Sequence, residues 1–446
     1  MRRIIVLFIN IVLVLTIVFW LISFNHRIDM YWNGVVVSSN TVFLFIIIFT
    51  IIIIFLILQR IYLFFRNYPK KIKGNMEVAR YKNAFSAIVR AITAIASNDN
   101  RELITQSKRI DNYVKDNPIG LILRSEVAKK EKNFKMAEDS YNKMLLNSDT
   151  KILGLKGLLE QNLKLQDYHH AMIYAEQIYR INPKLEWIYD TMIQIIIKTK
   201  NWYKMIDINN DAQNKKIISK DQKNKSNSIA MYEIGLIKES ASFRESIKLI
   251  SDAHIARSNF PPFVKKLLHL LIEDNQISKA KKILFKAWSD NPHPSFFEET
   301  IKISKNENIK PIDLINKLTK NNTDHYDSII FKVKANIIEN NWEEAKKIIK
   351  PILSNRPTKT VCKLMADIEH GITGNMQRAN SWINRSTLGD PEKIWVCKIT
   401  GIKQEEWASV NQGGIFDSLE WTWPNTGLSD NTMKLDALVP NIIGYN

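Results

Sequence analysis

Apolar positions along this chain follow two regimes. In the first 65 residues they are contiguous: residues 4–24 carry no formal charge, and residues 42–58 are almost wholly Ile, Leu, Val and Phe. At 1.5 Å per residue the first run extends about 31 Å as a helix, close to the hydrocarbon thickness of a bilayer. From residue 76 onward the apolar positions become periodic. Val78, Phe85, Ile88, Ile92 and Ile95 recur at three-to-four and seven spacings with Ala84, Ala87, Ala91 and Ala94 among them, which predicts an amphipathic helix that ends at Asn98, Asp99 and Asn100. A large apolar residue then stands at Phe134, Tyr168 and Trp202, each 34 residues from the last, and the same interval separates Phe243 from Ile277 and Trp342 from Met376. A 34-residue period is that of stacked helical hairpins, whose stacking creates an extended surface suited to holding another protein.

The units align in detail. Phe134, Ala137 and Tyr141 share one helix face at i, i+3 and i+7, as do Tyr168, Ala171 and Ala175. A small residue recurs at i+3 as Ala137, Ala171, Ala280, Ala345 and Ala379, and Pro183, Pro292 and Pro357 each close a unit fifteen residues after it opens. This pattern resembles the second helix of a tetratricopeptide repeat and predicts an all-α fold, a repeat solenoid over residues 67–388 with seven to nine hairpins. Two intervals deviate. The 41 residues from Trp202 to Phe243 imply an insertion near residues 215–227, polar and Lys-rich, expected as an exposed loop; the 65 from Ile277 to Trp342 imply a degenerate unit starting about Ile309. After Gly389 the pattern changes. Trp395, Trp407, Trp421 and Trp423 lie among glycines without helical period, so residues 389–446 are expected to form a small irregular or β-rich appendage, or a tail docked on the last repeat. The stretch 428–446 is expected to be poorly ordered.

The two apolar runs predict a transmembrane helical hairpin over residues 1–66, with spans at about 4–24 and 42–62. A cleaved signal peptide is excluded by the length of the first run and the lack of a small-x-small cleavage site before the second. A strand is excluded for the second run by its length. Arg2 and Arg3 precede span one, and Arg60, Arg66, Lys70, Lys71 and Lys73 follow span two, whereas the connecting loop 25–40 holds only Arg27, opposed by Asp29. That asymmetry places both termini in the cytoplasm, at an inner membrane. Tyr31, Trp32, Tyr62 and Tyr68 suit the membrane interfaces. Residues 67–75, with Pro69 and Gly74 as breakers, are expected to be a linker whose basic residues lie against anionic headgroups, each contributing about 1 kcal/mol.

Composition alters this picture little. The net charge of +18 is carried by scattered Lys rather than by a basic stripe with aromatics at motif spacing, so nucleic acid is not expected as a partner. Cys362 and Cys397 give no disulfide framework. No nucleotide-binding glycine loop and no zinc-protease helix motif occurs, and Gly154 and Gly157 lie in an apolar helical pattern that suits packing. Cys362 reads as a small buried hydrophobe on an amphipathic helix. His169 and His170 are adjacent, about 100° apart on a helix, and ill-placed to share a metal, while His254, His269, His293, His325 and His370 are dispersed. Glu343 and Glu344, followed by Lys346 and Lys347, read as a solvated helix face. No catalytic, cofactor-binding or metal-ligating residue is expected.

Four segments carry a resemblance: RYKNAFSAIVRAITAIASND, TKILGLKGLLEQNLKLQDYHHAMIYAEQIYRINPKLEW, WVCKITGIKQEEWASV and GIFDSLEW. Together with the paired spans they resemble the HemY family, inner-membrane tetratricopeptide proteins associated with haem biosynthesis. Relatives resemble a zinc ribbon in the tail, with a W-x-C-x-x-C-G knuckle and a later C-P-x-C knuckle. Here Cys397 is retained, Thr400 takes the second position and SVNQGG replaces the second knuckle, so a tetrahedral site lacks its four ligands, and tryptophan packing is expected in place of zinc. The resulting reading is a membrane-anchored, non-enzymatic scaffold in the lipid bilayer, with Tyr189, Gln194 and Lys198 as partner-binding positions. The resemblance implies late haem-biosynthesis enzymes as the partner proteins. Two alternatives stand beside it: a haem or porphyrin carrier using a His between repeats, and an adaptor for a membrane protease or envelope assembly complex.

Overall fold

The computed structural model describes residues 27–113, 117–353 and 356–424, with six isolated positions before residue 27. Apart from those positions the expected first span lies outside the described residues, as does the stretch 428–446. The chain divides into two compact units, Met1–Met136 and Ala137–Asn446.

The first unit opens with an antiparallel hairpin, β1 (Arg27–Trp32) paired with β2 (Val35–Asn40). Sequence reading expects a plain loop here and overlooks Asn33-Gly34, whose φ angles of 51° and 81° make the turn that matches the twist of paired strands. Helix α1 (Thr41–Ala96) follows, capped by the Asn40 side chain, which accepts from the Val42 N–H. Its Phe45–Leu63 segment is long and apolar enough to cross a membrane, with none of it buried. The expected linker at residues 67–75 is not a break: α1 runs through it. Pro69 removes one backbone hydrogen bond and Gly74 lowers helix propensity by about 1 kcal/mol, penalties that a helix of 56 residues carries without ending. At its far end Ala87, Ala91 and Ala94 pack against α2 (Asn100–Tyr113) and α3 (Pro118–Lys130) through Leu103, Ile110, Leu123 and Val127.

The second unit begins within α4 (Phe134–Met144) and is an all-α solenoid of helical hairpins. First helices α5 (Lys151–Lys164), α7 (Glu186–Thr199), α9 (Lys220–Lys238), α11 (Pro261–Glu273), α13 (Phe297–Asn306), α15 (Tyr326–Ile338) and α17 (Lys359–Thr373) alternate with second helices α6 (Tyr168–Ile181), α8 (Trp202–Asn214), α10 (Phe243–Ala256), α12 (Ile277–Asp290), α14 (Pro311–Leu318), α16 (Trp342–Ile349) and α18 (Met376–Arg385). Every residue of the 34-residue register is the first residue of a second helix. The turn explains why. Lys132, Gln166, Lys200, Asn275, Asn340 and Gly374 all have positive φ and all stand two places before a register residue, so at six of the seven register positions one left-handed residue ends the preceding helix and fixes where the next begins; the turn before Phe243 is made without one. The small residues at i+3 are buried. Glycines complete the contact from the other side: a Cβ on Gly157 would fall within the Tyr141 ring, and one on Gly371 within the Trp342 ring.

The two irregular intervals have different causes. Only residues 215–219 of the expected loop form a turn; Ser219 and Gln222 make a reciprocal cap that starts α9 at Lys220, and Asn227 and Ser228 are buried in it. The insertion lengthens a first helix; its charged side chains are good helix formers once the N-terminus is capped. The 65-residue interval contains the short α14, which keeps Leu314, Ile315 and Leu318 buried. Near it the core is densest: Trp288 and Phe331, both fully buried, lie 4.4 Å apart by ring centroid.

The tail forms an antiparallel sheet of order β4-β3-β5, from β3 (Ile394–Cys397), β4 (Lys403–Gln404) and β5 (Leu419–Thr422). It does not rest on the last repeat alone. Thr360 donates to the Glu392 carboxylate beside α17, but the body of the tail packs around α7, α9 and α11, where Tyr232, Phe260 and Phe263 meet Trp407 and Phe416 of the tail.

Gly371→Ala is expected to lower the unfolding midpoint. Overpacking against Trp342 costs about 1–3 kcal/mol and exceeds the roughly 1 kcal/mol gained in helix propensity, and adding Trp342→Leu should restore part of the loss. Thermal melts followed by far-UV circular dichroism decide it; an unchanged or raised midpoint in the single variant contradicts the contact.

Candidate functional site

The tail meets the repeats through aromatic side chains. Trp407 lies edge-on to Phe260, Phe263 and Tyr232 at centroid distances of 5.2, 5.7 and 5.6 Å. Such pairs contribute about 0.5–1.5 kcal/mol each beyond their buried area. Phe416 stacks on Trp202 at 6.3 Å. Between them the Arg257 guanidinium bonds Asp417 at 2.9 Å and lies 3.8 Å from the centre of the Phe260 ring. His293, just before α13, is nearly fully buried with Trp421 at 4.6 Å and Trp395 at 6.1 Å. Its Nδ1 accepts from the Ser295 backbone N–H at 3.2 Å and contacts the Ser295 hydroxyl at 2.7 Å. Burial, together with Lys393 and Lys265, lowers its pKa to about 4, so the ring is neutral near pH 7. Sequence reading sets His293 aside as dispersed, because its partners lie a hundred residues away.

A cavity of about 630 Å³ lies between α7 and the tail loop. Its floor is apolar, from Ile193, Ile197, Ile218, Ile399, Ile415 and Phe416, and its rim carries Asp190, Lys198 and Lys225. All three positions expected to bind partners, Tyr189, Gln194 and Lys198, line it together. The Tyr189 hydroxyl donates to Asn209 at 2.8 Å, and Asn209 in turn donates to Ser226 and Asn227, a network that ties α7, α8 and α9 into one wall. Burial pushes the Tyr189 hydroxyl up to about 12 and raises the Asp190 carboxyl above the usual range. Gly414, at φ 77°, leaves the Lys198 ammonium 3.8 Å from the place a Cβ would occupy. The volume is within the range of pockets that hold small ligands or a few side chains of a partner.

A second cavity, about 410 Å³, lies between α11, α13 and the tail, bordered by Lys265, Lys266, His269, His293, Lys302 and Trp407. Beside it the ligand atoms of Glu239, His269 and Glu273 come within 4.8 Å of one another. Of these, Glu239 already pairs with the Lys266 ammonium at 2.7 Å and Glu273 lies 3.1 Å from the His269 Nε2, while the neighbouring Glu299 pairs with Lys302 at 3.0 Å.

Cys397 is buried and its sulfur accepts from the Thr400 backbone N–H at 3.4 Å. Burial pushes its thiol up, but hydrogen bonds from Thr400, Ile399 and Ser418 outweigh it and leave the thiol below its ordinary range. The Asn411 side-chain oxygen accepts from the Ile415 N–H at 2.9 Å and its amide donates to Ser418 at 3.0 Å. One thiol with hydroxyl and amide groups already bonded to each other does not fit a structural zinc, which requires four N or S ligands.

No protein-family model and no curated protein sequence matches the chain. Solved structures similar to it include the Naa15/Naa10 complex bound to HypK-THB, at 11% identity and TM-score 0.41, covering 72% of this chain and 53% of that one. The chain therefore spans about half the length of that protein. Others are the TPR2AB domain of yeast Sti1 in its HSP90 complex, at 10% identity, TM-score 0.29 and coverage of 68% and 98%, and yeast Tom70, at 11% identity, TM-score 0.27 and coverage of 69% and 85%.

Because the folded pKa of His293 is depressed, the unfolded chain binds the extra proton as pH falls below about 6.5, and stability is lost down to about pH 4. Between about pH 7 and pH 5 this one group should remove about 2 kcal/mol. Tryptophan-monitored denaturation of wild type and His293→Leu should show that difference in pH dependence; equal slopes would exclude it. Elemental analysis of purified full chain is expected to give zinc well below one equivalent, unaltered in Cys397→Ser.

Proposed function

We propose that the chain is a membrane-anchored, non-enzymatic scaffold that holds protein partners on the first-helix face of its repeats. The anchor is two spans in an inner membrane with both termini cytoplasmic, and the partners are enzymes of late haem biosynthesis. Carrying this reading is the cavity between α7 and the tail loop, where an apolar floor is rimmed by Asp190, Lys198 and Lys225. Tyr189, Gln194 and Lys198 are its partner-binding residues. An apolar side chain of a partner would enter over Ile193 and Ile197, with rim charges fixing its orientation. Tethering raises the effective concentration of partners at the bilayer, where sparingly soluble porphyrins partition.

A haem or porphyrin carrier is the second reading. It is favoured by the buried Nε2 of His293, which has no hydrogen-bond partner among the described residues and borders the smaller cavity. A Soret shift on titrating haem into the full chain, abolished by His293→Ala, would favour the carrier.

Affinity capture from native membranes is expected to recover haem-pathway enzymes with the wild-type chain and to lose them with Ile193→Glu or Lys198→Glu. Recovery of none of these enzymes by wild type, or an unchanged set with both variants, would overturn the scaffold reading.

A further inference from the structure

Helix α1 carries two apolar faces beyond its membrane segment. One, made of alanines, packs on α2 and α3. The other consists of Val78, Tyr81, Phe85, Val89 and Ile92, each between 48% and 68% exposed. A helix with one packed face ordinarily turns a polar face outward, and this one does not. Lipid is too far away to cover it: Val78 lies fifteen residues past Leu63, about 23 Å along a continuous helix, whereas the headgroup layer beyond the hydrocarbon is only about 5–8 Å deep.

We infer that this stripe is the seam of a parallel two-fold pairing with a second copy of the chain, resting on the membrane anchorage proposed above. Three observations favour a second copy. Val78, Tyr81, Phe85 and Ile92 hold a, d, a and a places of one heptad frame, with Val89 beside them at e, the placement of a left-handed coiled-coil seam. Glu77 and Lys82, both exposed, flank the stripe on opposite sides and are five residues apart, so in a parallel pair Glu77 of one copy faces Lys82 of the other on both edges. The five side chains present about 500 Å², so pairing with an identical stripe buries about 1,000 Å² in total, the lower limit for a specific interface. About two heptads are marginal alone in water. The continuous helix into Phe45–Leu63 supplies the remainder: copies in one membrane share their direction, and confinement raises their effective concentration.

Single cysteines in the full chain, in native membranes, test this, since Cys362 and Cys397 are buried. On mild oxidation Phe85→Cys is expected to give a disulfide-linked dimer with a yield at least about tenfold above that of Ser86→Cys on the polar face, confinement favouring only the facing pair. Val89→Glu added to Phe85→Cys should abolish the cross-link with helicity unchanged, as that side chain is exposed. Lys82→Glu should weaken it, and the Glu77→Lys/Lys82→Glu swap should restore it. Equal yields at positions 85 and 86 overturn the pairing. So does a Phe85→Cys chain that stays monomeric while its thiol resists maleimide, which would assign the stripe to another segment or protein. Salt extraction of the chain from the membrane would refute the anchor alone, since the cross-link reads the pairing separately.

Discussion

A helical hairpin has too little apolar surface to stand alone, so each one here is stable only through the close approach of its neighbours. That approach depends on backbone coming near backbone. Gly157 admits the Tyr141 ring and Gly371 admits the Trp342 ring, while the buried alanines at i+3 let the two helices of a unit meet. Replacing any of these by a larger residue displaces a helix axis and, through stacking, every unit that follows. Left-handed turn residues such as Gln166, Lys200 and Asn340 supply the other half of the constraint by fixing the angle at which each second helix departs.

This constraint made the solenoid legible from sequence. A period of one large residue at each second-helix start requires no long-range information, and all seven register residues fall where the period predicts. What the sequence hid is instructive in each case. The Asn33-Gly34 hairpin was readable from a turn dipeptide between alternating residues, but the reading weighed only the charge of that loop. The linker at residues 67–75 was inferred from Pro69 and Gly74, local penalties that a long helix absorbs. The Lys-rich stretch after Asn214 was judged by its polarity, although the Ser219 to Gln222 spacing announces a capped helix.

The candidate site was half legible. Tyr189, Gln194 and Lys198 sit on one helix and close together in the chain. The opposite wall, Ile399 and the loop from Gly413 to Asp417, comes from some two hundred residues later in the chain, and no periodicity links the two. His293 was invisible for the same reason, since its indole neighbours Trp395 and Trp421 are brought to it only by the folded tail. In the tail, Cys397 stands without a second thiol in the sequence, and no local pattern there shows that Asn411 and Ser418 bond each other.

The ion pair between Arg257 and Asp417 joins residues 160 positions apart, and with the aromatic contacts of Trp407 and Phe416 it ties the tail to a solenoid whose helices otherwise pack on their chain neighbours. A simple solenoid unravels like a zip, each unit leaving independently from an end. The tail makes the middle of this one a closed ring of chain, so α7 to α11 cannot open one unit at a time without first giving up the aromatic seat of Trp407. The consequence is mechanical: a force pulling at the C-terminus loads the centre of the array before its end, and the repeats beyond α13 are bypassed.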